Sequence, residues 1–411
     1  MLLSGTIAGC LAQNDDETET TTGPVHERGW SHYRADRWNS GFDPDASEIL
    51  TTPEIEWTLG VHEEDDLYFT GAIADDTLYI GGDALRAVNV EDGTVEFQQY
   101  EMDAESVAGV AITDDLYVTG DNDEPWIARH DPSSGEQFER ITLDLDGERP
   151  QPGPLSGPPT ISGGAAIASS VGVQAVFDAE LDEERWRVEF APDHGGQPPV
   201  ILNGQAYTTV QNGFGAFDIE GSEPDPDIQI DLHRSEWTAP ASDGESIFVG
   251  GMGSVREWFE DAGSMTAVTT DGEIAWETEI GTAVRTPAVA HGLVFCTCSV
   301  IATDESFGGH DGYEFDTVIR ALDVSDGEEI WSERIPDQRL FAPPPVVGGN
   351  VLYAGTISED GSSLLVAFEV ETGEHHWEMS VDDAIEWLAI AEQKVFVGTR
   401  NGTLYALSEP D

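Results

Sequence analysis

The sequence predicts an all-β protein, an eight-bladed β-propeller of four-stranded antiparallel blades. Three observations predict this fold. A short phrase recurs about every 40 to 54 residues, β-rich runs bounded by turn residues stand between its copies, and the last copy is incomplete. Regular repeats of this length indicate an array of identical supersecondary units. No segment has a sustained apolar period of 3.6 residues, so we expect few helices.

The recurring phrase is an apolar run ending in Ala, then often an acidic residue, a Gly turn and an aromatic residue. It is clearest at residues 321–331 and 367–377. An aromatic ring at the end of one blade buries roughly 150–250 Å² when it lies on the turn of the next blade. We therefore predict blade-docking roles for Trp57, Phe97, Phe138, Trp186, Trp276, Trp331 and Trp377. The weakest matches are Pro226 at the aromatic position and Asp182 at the Gly position, so we expect irregular blades there.

Each unit also contains a turn followed by a β-rich run, as in residues 75–81 and 244–249. Such runs between Gly, Asp and Asn are strands joined by hairpins. Seven units are complete, and the eighth, from about residue 385 to 407, stops after its third strand. Residues 53–58 have the character of the missing fourth strand, and their pairing closes the ring without an exposed edge. The predicted propeller spans residues 53–411.

The phrases at residues 321–331 and 367–377 resemble the tryptophan-docking repeat of pyrroloquinoline-quinone-type (PQQ-type) propellers. That family includes quinoprotein alcohol dehydrogenases and the propeller lipoprotein of the bacterial outer-membrane assembly machine. Residues 30–41 are similar to the lead-in of such propellers in salt-loving archaea, and we assign residues 30–52 as a lead-in segment. The resemblance implies the fold. For the dehydrogenases it also implies PQQ, Ca²⁺ and a pair of directly adjacent cysteines.

The composition is strongly acidic, with 81 Asp and Glu against 17 Lys and Arg and a net charge of −64. Self-repulsion on this scale destabilises a compact chain at low ionic strength, but molar salt screens it. The acidic residues are spread through a strand-rich chain with 11 Trp, which favours a folded protein in brine. Nucleic-acid binding is not expected, because no basic patch meets the phosphates.

The N-terminus predicts an export signal and a lipid anchor. Residues 7–10 read Ile-Ala-Gly-Cys and resemble a lipobox, which makes residues 1–10 a truncated lipoprotein signal and Cys10 its lipidation site. An apolar N-terminus with an incidental cysteine is the alternative. Residues 11–29 are polar and acidic and suit a disordered tether. We expect a monomer at the outer face of the cell membrane in high salt.

Long connections predict the binding face. In an up-and-down blade, the loops from second to third strand and those between blades lie on one side of the ring, and binding residues concentrate on such loops. Insertions lie at residues 251–261, 299–317 and 358–362. The candidate binding residues on this face are Arg285, Trp237, Trp258, Arg256, Arg339, Trp387 and His310. Ion pairs for the arginines, packing for the tryptophans and a solvated acidic loop around His310 are the alternatives, and no metal site is expected.

Two further motifs carry less weight. Cys296 and Cys298 share one face of a strand and are interpreted as packing residues, and the intervening Thr297 departs from the adjacent pair of the dehydrogenases. Residues 401–403, Asn-Gly-Thr, fit both an N-glycosylation acceptor and a hairpin turn.

Two functions follow from these features. The first is a non-enzymatic, membrane-anchored scaffold that binds a protein or small-molecule partner and needs no cofactor. The alternative is a PQQ- and Ca²⁺-dependent quinoprotein dehydrogenase, whose catalytic residues we cannot place in this chain. A shared fold does not carry the chemistry with it.

Overall fold

A computed structural model describes residues 30–62, 70–100, 106–121, 125–143, 157–170, 173–189, 197–210, 213–223, 228–231, 238–251, 263–301, 315–338, 343–358 and 361–410. These residues form eight antiparallel sheets and no helix. The predicted fold is confirmed, since each sheet is one blade of an eight-bladed β-propeller. Glycine and Asx turns separate runs of β-branched and aromatic residues, and this pattern produces the short strands.

The first four blades each contain four consecutive strands. Blade 1 is β3 Gly71–Ala74, β4 Thr77–Ile80, β5 Leu85–Asn89 and β6 Val95–Gln99. Blade 2 is β7 Ser106–Ile112, β8 Leu116–Asp121, β9 Pro125–His130 and β10 Gln137–Thr142. Blade 3 is β11 Thr160–Ser162, β12 Ala165–Ser170, β13 Val173–Asp178 and β14 Glu184–Glu189. Blade 4 is β15 Val200–Leu202, β16 Gln205–Val210, β17 Gly213–Asp218 and β18 Ile228–Asp231.

The last four blades include the irregular members. Blade 5 is β19 Ala241–Ser242, β20 Ser246–Gly250, β21 Gly263–Thr269 and β22 Ile274–Gly281. Blade 6 has a divided first strand, β23 Ala283–Val284 and β24 Ala288–Ala290, followed by β25 Leu293–Ile301, β26 Phe315–Asp323 and β27 Glu329–Gln338. Blade 7 is β28 Val346–Gly348, β29 Val351–Gly355, β30 Ser363–Glu369 and β31 His375–Val381, with β1 Phe42–Asp43 added in parallel to β28. Blade 8 is β32 Ile385–Ala391, β33 Lys394–Thr399, β34 Thr403–Ser408 and β2 Glu54–Gly60.

The N-terminal strand β2 closes the ring, as the sequence predicts. It pairs antiparallel with β34, with Ile55 opposite Leu407 and Trp57 opposite Ala406. The side chain of Lys394, the one lysine of the sequence, forms an ion pair with Glu56 on the closing strand. The fourth strand of the last blade is therefore supplied by the start of the chain.

The core is divided among the seams between blades. Apolar side chains of each sheet pack against the neighbouring sheet, so that one buried cluster contains Val88 of blade 1, Tyr353 of blade 7 and Phe396 of blade 8. The ring is held by these side-chain contacts because hydrogen bonds within each sheet do not cross a seam.

The aromatic residue of the repeat stands opposite an alanine or valine of the third strand in six of the eight blades. These pairs are Ala87 with Phe97, Val176 with Trp186, Ala267 with Trp276, Ala321 with Trp331, Ala367 with Trp377 and Ala406 with Trp57. Trp331 illustrates the docking. Its indole N–H donates to the carbonyl of Val370 at 2.8 Å, and a Cβ placed on Gly373 would lie 2.7 Å from its ring. The glycine of the turn thus leaves room for the ring.

Phe138 does not dock, contrary to the sequence-based assignment. It lies at a β-bulge, its side chain is 46% exposed, and Arg140 takes the position opposite Ala128. Phe138 follows Gly135 by three residues, whereas Phe97 of blade 1 follows Gly93 by four, so Phe138 comes one residue too early to reach the docking position. A fixed spacing from the alanine therefore selected the bulged residue.

Blade 4 fills the docking position with an aliphatic side chain. Pro226, at the predicted aromatic position, lies outside the described residues, whereas Ile228 stands opposite Ala216. A Cβ on Gly272 of blade 5 would lie 2.4 Å from the Cγ2 atom of Ile228, so this side chain covers the next turn. In blade 3, Leu181 occupies the turn near Asp182 and adopts φ of 60°, whereas glycine provides the positive φ in the corresponding turns at Gly93, Gly327 and Gly373.

Residues 30–52, here called the hub, run around the inner edge of the ring. The inner strand of a blade has an unpaired edge of backbone groups, which needs partners when it is buried. Seven backbone N–H groups of the inner strands donate to hub carbonyls: Ile73 to Trp30, Ile112 to Ser31, Ile201 to Arg37, Ser242 to Trp38, Val289 to Ser40, Val347 to Gly41 and Gly349 to Asp43. His32 Nε2 lies 3.0 Å from the carbonyl of Ile161 in blade 3, and Ser47 N–H donates to Glu392 of blade 8. The hub therefore contacts all eight blades in chain order.

Two hub side chains bond to proline carbonyls. Arg34 Nη2 donates to Pro287 at 3.0 Å and to Pro345 at 2.6 Å, and Asn39 Nδ2 donates to Pro198 at 3.1 Å and to Pro240 at 3.0 Å. Proline has no N–H, so these inner positions present acceptors only. Burial lowers the pKa of Arg34 to about 10, which leaves it cationic at neutral pH.

The hub also replaces a missing turn. Blade 8 has no covalent link between its third and fourth strands, because β34 ends near the C-terminus and β2 comes from the N-terminus. Trp377 of blade 7 therefore donates its indole N–H to the carbonyl of Ile49 at 2.8 Å, and the Ile49 N–H donates to the hydroxyl of Tyr353 at 2.9 Å. Residues of the hub thus receive the docking aromatic of the last complete blade.

Candidate functional site

The two faces of the ring differ in construction. The hub bonds to inner-strand residues next to the turn between first and second strands, for example Ile73 beside residues 75–76. We call this side the hub face. Connections from second to third strand and from blade to blade lie on the opposite side, here called the loop face. Among the connections whose ends are described, the longest from second to third strand joins Ile301 to Phe315 in blade 6.

The structure describes only part of the predicted binding face. Arg285 and Trp387 are described. The other predicted residues, Trp237, Trp258, Arg256, Arg339 and His310, lie outside the described residues, as does the predicted lipidation site Cys10. The described part of the face consists of the strand ends that border it.

Arg285 lies on the inner strand of blade 6, between β23 and β24. Its backbone N–H donates to Thr297 at 3.1 Å, and its side chain is partly exposed. A Cβ placed on Gly250 of blade 5 would lie 2.8 Å from the Arg285 carbonyl, so glycine permits the close approach of the two blades. This packing fixes the backbone that carries the guanidinium group near the loop face.

The seam between blades 8 and 1 brings two further arginines to the loop face. Arg86 donates to the carbonyl of Val61 at 2.9 Å and pairs with Asp83 at 2.6 Å. Arg400 Nε lies 2.7 Å from an oxygen of Glu386. Both guanidinium groups are neutralised by carboxylates within their own blades. These arginines are not among the predicted binding residues, although their positions beside loop-face turns, Arg86 just after one and Arg400 at the start of another, are a usable signal.

Trp387, a candidate residue of the binding face, packs between blades, which is the alternative given for the tryptophans. Its side chain is 6% exposed, and a Cβ on Gly71 of blade 1 would lie 3.1 Å from its ring. The alternation of a half-buried strand turns this ring toward the neighbouring sheet, because strand side chains point into the seams. Trp387 is therefore a packing residue of the closing seam.

Cys296 and Cys298 are buried in the seam between blades 5 and 6. Both thiols are free, with 0% and 2% exposure, and the Cys298 thiol donates to the carbonyl of Ile280 at 3.2 Å. Burial raises the pKa of both thiols, which keeps them protonated at neutral pH. A Cβ on Gly281 would lie 2.9 Å from the Cβ atom of Cys298, so small residues allow the two blades to meet.

Two features are absent from the described residues. No group of three or more His, Cys, Asp or Glu side chains in this part of the chain is arranged to hold a metal ion. No helix long and apolar enough to cross a membrane occurs there either.

Comparison with protein families gives one match. The family model described as outer membrane protein assembly factor BamB matches residues 315–411, which cover β26 to β34. This stretch contains the two clearest copies of the repeat. No curated protein matches the chain.

Solved structures share the fold at low sequence identity. The quinohemoprotein alcohol dehydrogenase of Comamonas testosteroni is 11% identical with a TM-score of 0.65, over 94% of this chain and 82% of that one. BamB of Moraxella catarrhalis is 13% identical with a TM-score of 0.63, over 87% of this chain and 100% of that one. The computationally designed Ika8 protein is 11% identical with a TM-score of 0.60, over 88% and 100%. The chain thus has the fold of PQQ-type propellers, as its resemblance implies.

Proposed function

We propose that this chain is a non-enzymatic propeller scaffold, anchored by lipid to the outer face of the cell membrane in a high-salt environment, which binds a protein or a small ligand through its loop face. The observation that carries the proposal is the asymmetry of the ring. The hub face carries the hub and mostly short turns, the longest of which joins Asp218 to Ile228. The loop face carries the longer connections, among them those from Gly250 to Gly263 and from Ile301 to Phe315. Binding residues concentrate on long loops held by a rigid scaffold.

The position of the hub orients the protein on the membrane. The described chain reaches the ring at Trp30, which is buried on the hub face with its carbonyl bonded to Ile73. In this proposal, a lipid on Cys10 attaches the protein to the membrane through the chain that reaches the ring at Trp30, on that side. The hub face is then directed toward the membrane and the loop face away from it, where partners reach it.

The comparisons support the scaffold in part. BamB is named as an outer membrane protein assembly factor, and its family model matches the last blades of this chain. The BamB structure covers 87% of the chain. By analogy, the partner proposed here is a protein bound by a monomeric propeller through exposed loops, although a shared fold does not fix the partner.

The alternative function is a PQQ- and Ca²⁺-dependent dehydrogenase, which is favoured by the structural likeness to quinohemoprotein alcohol dehydrogenase. The cysteines do not fit this cofactor. Cys296 and Cys298 are separated by Thr297, and both side chains are buried between blades 5 and 6. They do not supply the adjacent pair that the resemblance implies, and we derive no reaction step through the cofactor.

The test that separates the two functions is a titration of residues 25–411 with PQQ in molar KCl, with and without Ca²⁺, followed by tryptophan fluorescence. A scaffold predicts no saturable quenching. Calcium-dependent, saturable quenching would support the dehydrogenase instead and would justify an activity screen with alcohols and an artificial electron acceptor.

A second experiment tests the loop face. Partners are captured by crosslinking on intact cells with the full chain, and the captured set is compared between the wild type and Arg285→Glu. We expect Arg285→Glu to lose partners. The matched control is Arg37→Glu, which makes the same change of charge on the hub. The described interactions of the Arg37 side chain are a 3.4 Å contact with Ser162 and a contact with the ring of Trp38. Equal loss in both variants would contradict the assignment of the face.

A further inference from the structure

The turn between β33 and β34 of blade 8 contains a feature that the proposed function does not use. Residues 401–403 read Asn-Gly-Thr, and no other Asn in the chain is followed two positions later by Ser or Thr. Asn-x-Ser/Thr is the acceptor sequence for N-linked oligosaccharides. The turn joins a second to a third strand, so it lies on the loop face.

The Asn401 side chain has the geometry of an acceptor. It is exposed, and its Oδ1 atom accepts a hydrogen bond from Thr403 N–H at 3.1 Å. The Thr399 hydroxyl, which has one proton to donate, lies 2.9 Å from both this Oδ1 and the Thr403 carbonyl. No described residue accepts a hydrogen bond from the Nδ2 of Asn401. A hydrogen bond to Oδ1 draws electron density from the amide nitrogen and lowers the cost of removing its proton, and the side chain that carries this nitrogen is exposed.

The surrounding backbone holds the turn in place. Asn401 N–H donates to a carboxylate oxygen of Asp383 at 2.6 Å, and Val61 N–H donates to the carbonyl of Gly402 at 2.8 Å. Gly402 has φ of 77°, and a Cβ there would lie 2.6 Å from the carbonyl of His62. Gly402 therefore packs inward while Asn401 points outward, so a large group on Asn401 meets no neighbouring strand.

We propose that Asn401 is an N-glycosylation site. This proposal rests on the proposed extracellular location, since the reaction needs a polyprenyl-phosphate-linked oligosaccharide and a membrane-bound oligosaccharyltransferase. The Nδ2 atom attacks C1 of the first sugar, the bond from C1 to the phosphate oxygen breaks, and the polyprenyl phosphate leaves. Nδ2 loses one proton, which is passed to a base of the transferase. No oxidant or reductant is required.

The chain contains an internal control. Asn203 is also followed by glycine in an exposed turn, and it has φ of 54°, but Gln205 takes the place of the hydroxyl residue. Spontaneous deamidation of Asn-Gly acts on both turns, whereas oligosaccharide transfer acts only on Asn401.

The experiment is peptide mass spectrometry of the full chain purified from the cells that naturally produce it. We expect an oligosaccharide mass on the peptide with Asn401 and none on the peptide with Asn203. Asn401→Gln and Thr403→Ala should abolish the added mass, whereas Thr403→Ser should retain it at lower occupancy. Thr403→Ala keeps the Asn401 backbone and so separates loss of the acceptor from a change in the turn.

Two outcomes overturn the proposal in distinguishable ways. If a non-permeant reagent labels the protein on intact cells and Asn401 is unmodified or only deamidated, the glycosylation site is refuted and the scaffold proposal stands. If the protein is not labelled from outside and Asn401 is unmodified, both proposals fail.

Discussion

The seam between blades 6 and 7 and the seam between blades 2 and 3 are built from the same repeat but held in different ways. At the first, Trp331 lies on the Gly373 turn and donates to Val370. At the second, no aromatic from the fourth strand docks. Instead, the Tyr117 hydroxyl donates to the carbonyl of Ala179 at 2.7 Å, and Arg129 pairs with Glu180 across the seam.

This difference shows that the docking aromatic is one of two connections between blades. The second is a tyrosine of the second strand that donates to the turn of the next blade, as Tyr79 does to Pro132 and Tyr207 to Thr270. Where the turn has lost its glycine, as at Leu181, the tyrosine remains. We therefore expect the seams to respond differently to substitution.

The largest effect is expected for Trp331→Ala. Truncation of a large aromatic side chain at a packed site costs about 3–5 kcal/mol of unfolding free energy. Urea unfolding in molar KCl, followed by circular dichroism, measures the change. Trp331→Phe is the control, because it keeps a ring over Gly373 but loses the bond to Val370. If both variants were as stable as the wild type, the ring would not hold this seam.

Gly373→Ala should be the next most harmful change. The position has φ of 69°, where an L-residue with a side chain costs roughly 1–2 kcal/mol, and the added Cβ would also lie 2.7 Å from the Trp331 ring. Gly292→Ala separates the two causes, since its φ is 74° and its Cβ would meet nothing within 4 Å. A larger loss of stability at Gly373 than at Gly292, by thermal unfolding, measures the clash. Equal losses would show that the ring yields to the methyl group.

At the other seam, Tyr117→Phe should cost about 1 kcal/mol, because it removes one hydrogen bond while leaving the ring in place. Chemical denaturation of this variant gives the value. Phe248 holds the corresponding second-strand position of blade 5 without a hydroxyl, so Phe248→Leu reports the packing contribution alone. A Tyr117→Phe variant indistinguishable from the wild type would remove the tyrosine as a connection.

The same tyrosine predicts a pH dependence. Burial raises the pKa of Tyr117 to about 12 from its ordinary value of 10.0, so the folded state favours the neutral phenol. This contribution to stability is complete below pH 10 and is lost as the pH rises from 10 toward 12. The free energy of unfolding should therefore fall more steeply between pH 10 and pH 12 for the wild type than for Tyr117→Phe. If the free energy of unfolding changed with pH equally in both proteins, the raised pKa of Tyr117 would be contradicted.

The smallest effect is expected for Phe138→Ala. The side chain is 46% exposed and contacts Arg129 at the surface, and such substitutions usually change stability by less than about 0.5 kcal/mol. The free energy of unfolding is measured for Phe138→Ala and for Phe97→Ala, which truncates the docked aromatic residue of blade 1, and the two losses are compared. A loss as large as that of Phe97→Ala would restore Phe138 to a docking role.

The sequence predicted the fold because the signals that define a blade are local. Alternation, turns and the incomplete last unit were sufficient to count eight blades and to assign residues 53–58 to the closing strand. The assignment of Phe138 failed because this residue comes one position too early after its glycine and falls in a β-bulge, which only the pairing of Ala128 with Arg140 reveals.

The hub was recognised as a lead-in segment, but its role was not predicted. Its main contacts are made by backbone carbonyls, such as that of Trp30 with Ile73, and these carry no side-chain signal. The candidate binding face was predicted from loop length alone. Its chemistry depends on residues far apart in sequence, such as Arg86 and Val61, whose proximity follows only from ring closure.

The hub also restricts the number of blades in the ring. The hub offers its bonding groups in chain order from Trp30 to Ser47, and these groups reach the eight blades one after another, with two of them at blade 7. A ring of seven or nine blades would leave a hub carbonyl or an inner-strand N–H buried without a partner. The hub, a segment of 23 residues, therefore fixes the number of blades at eight.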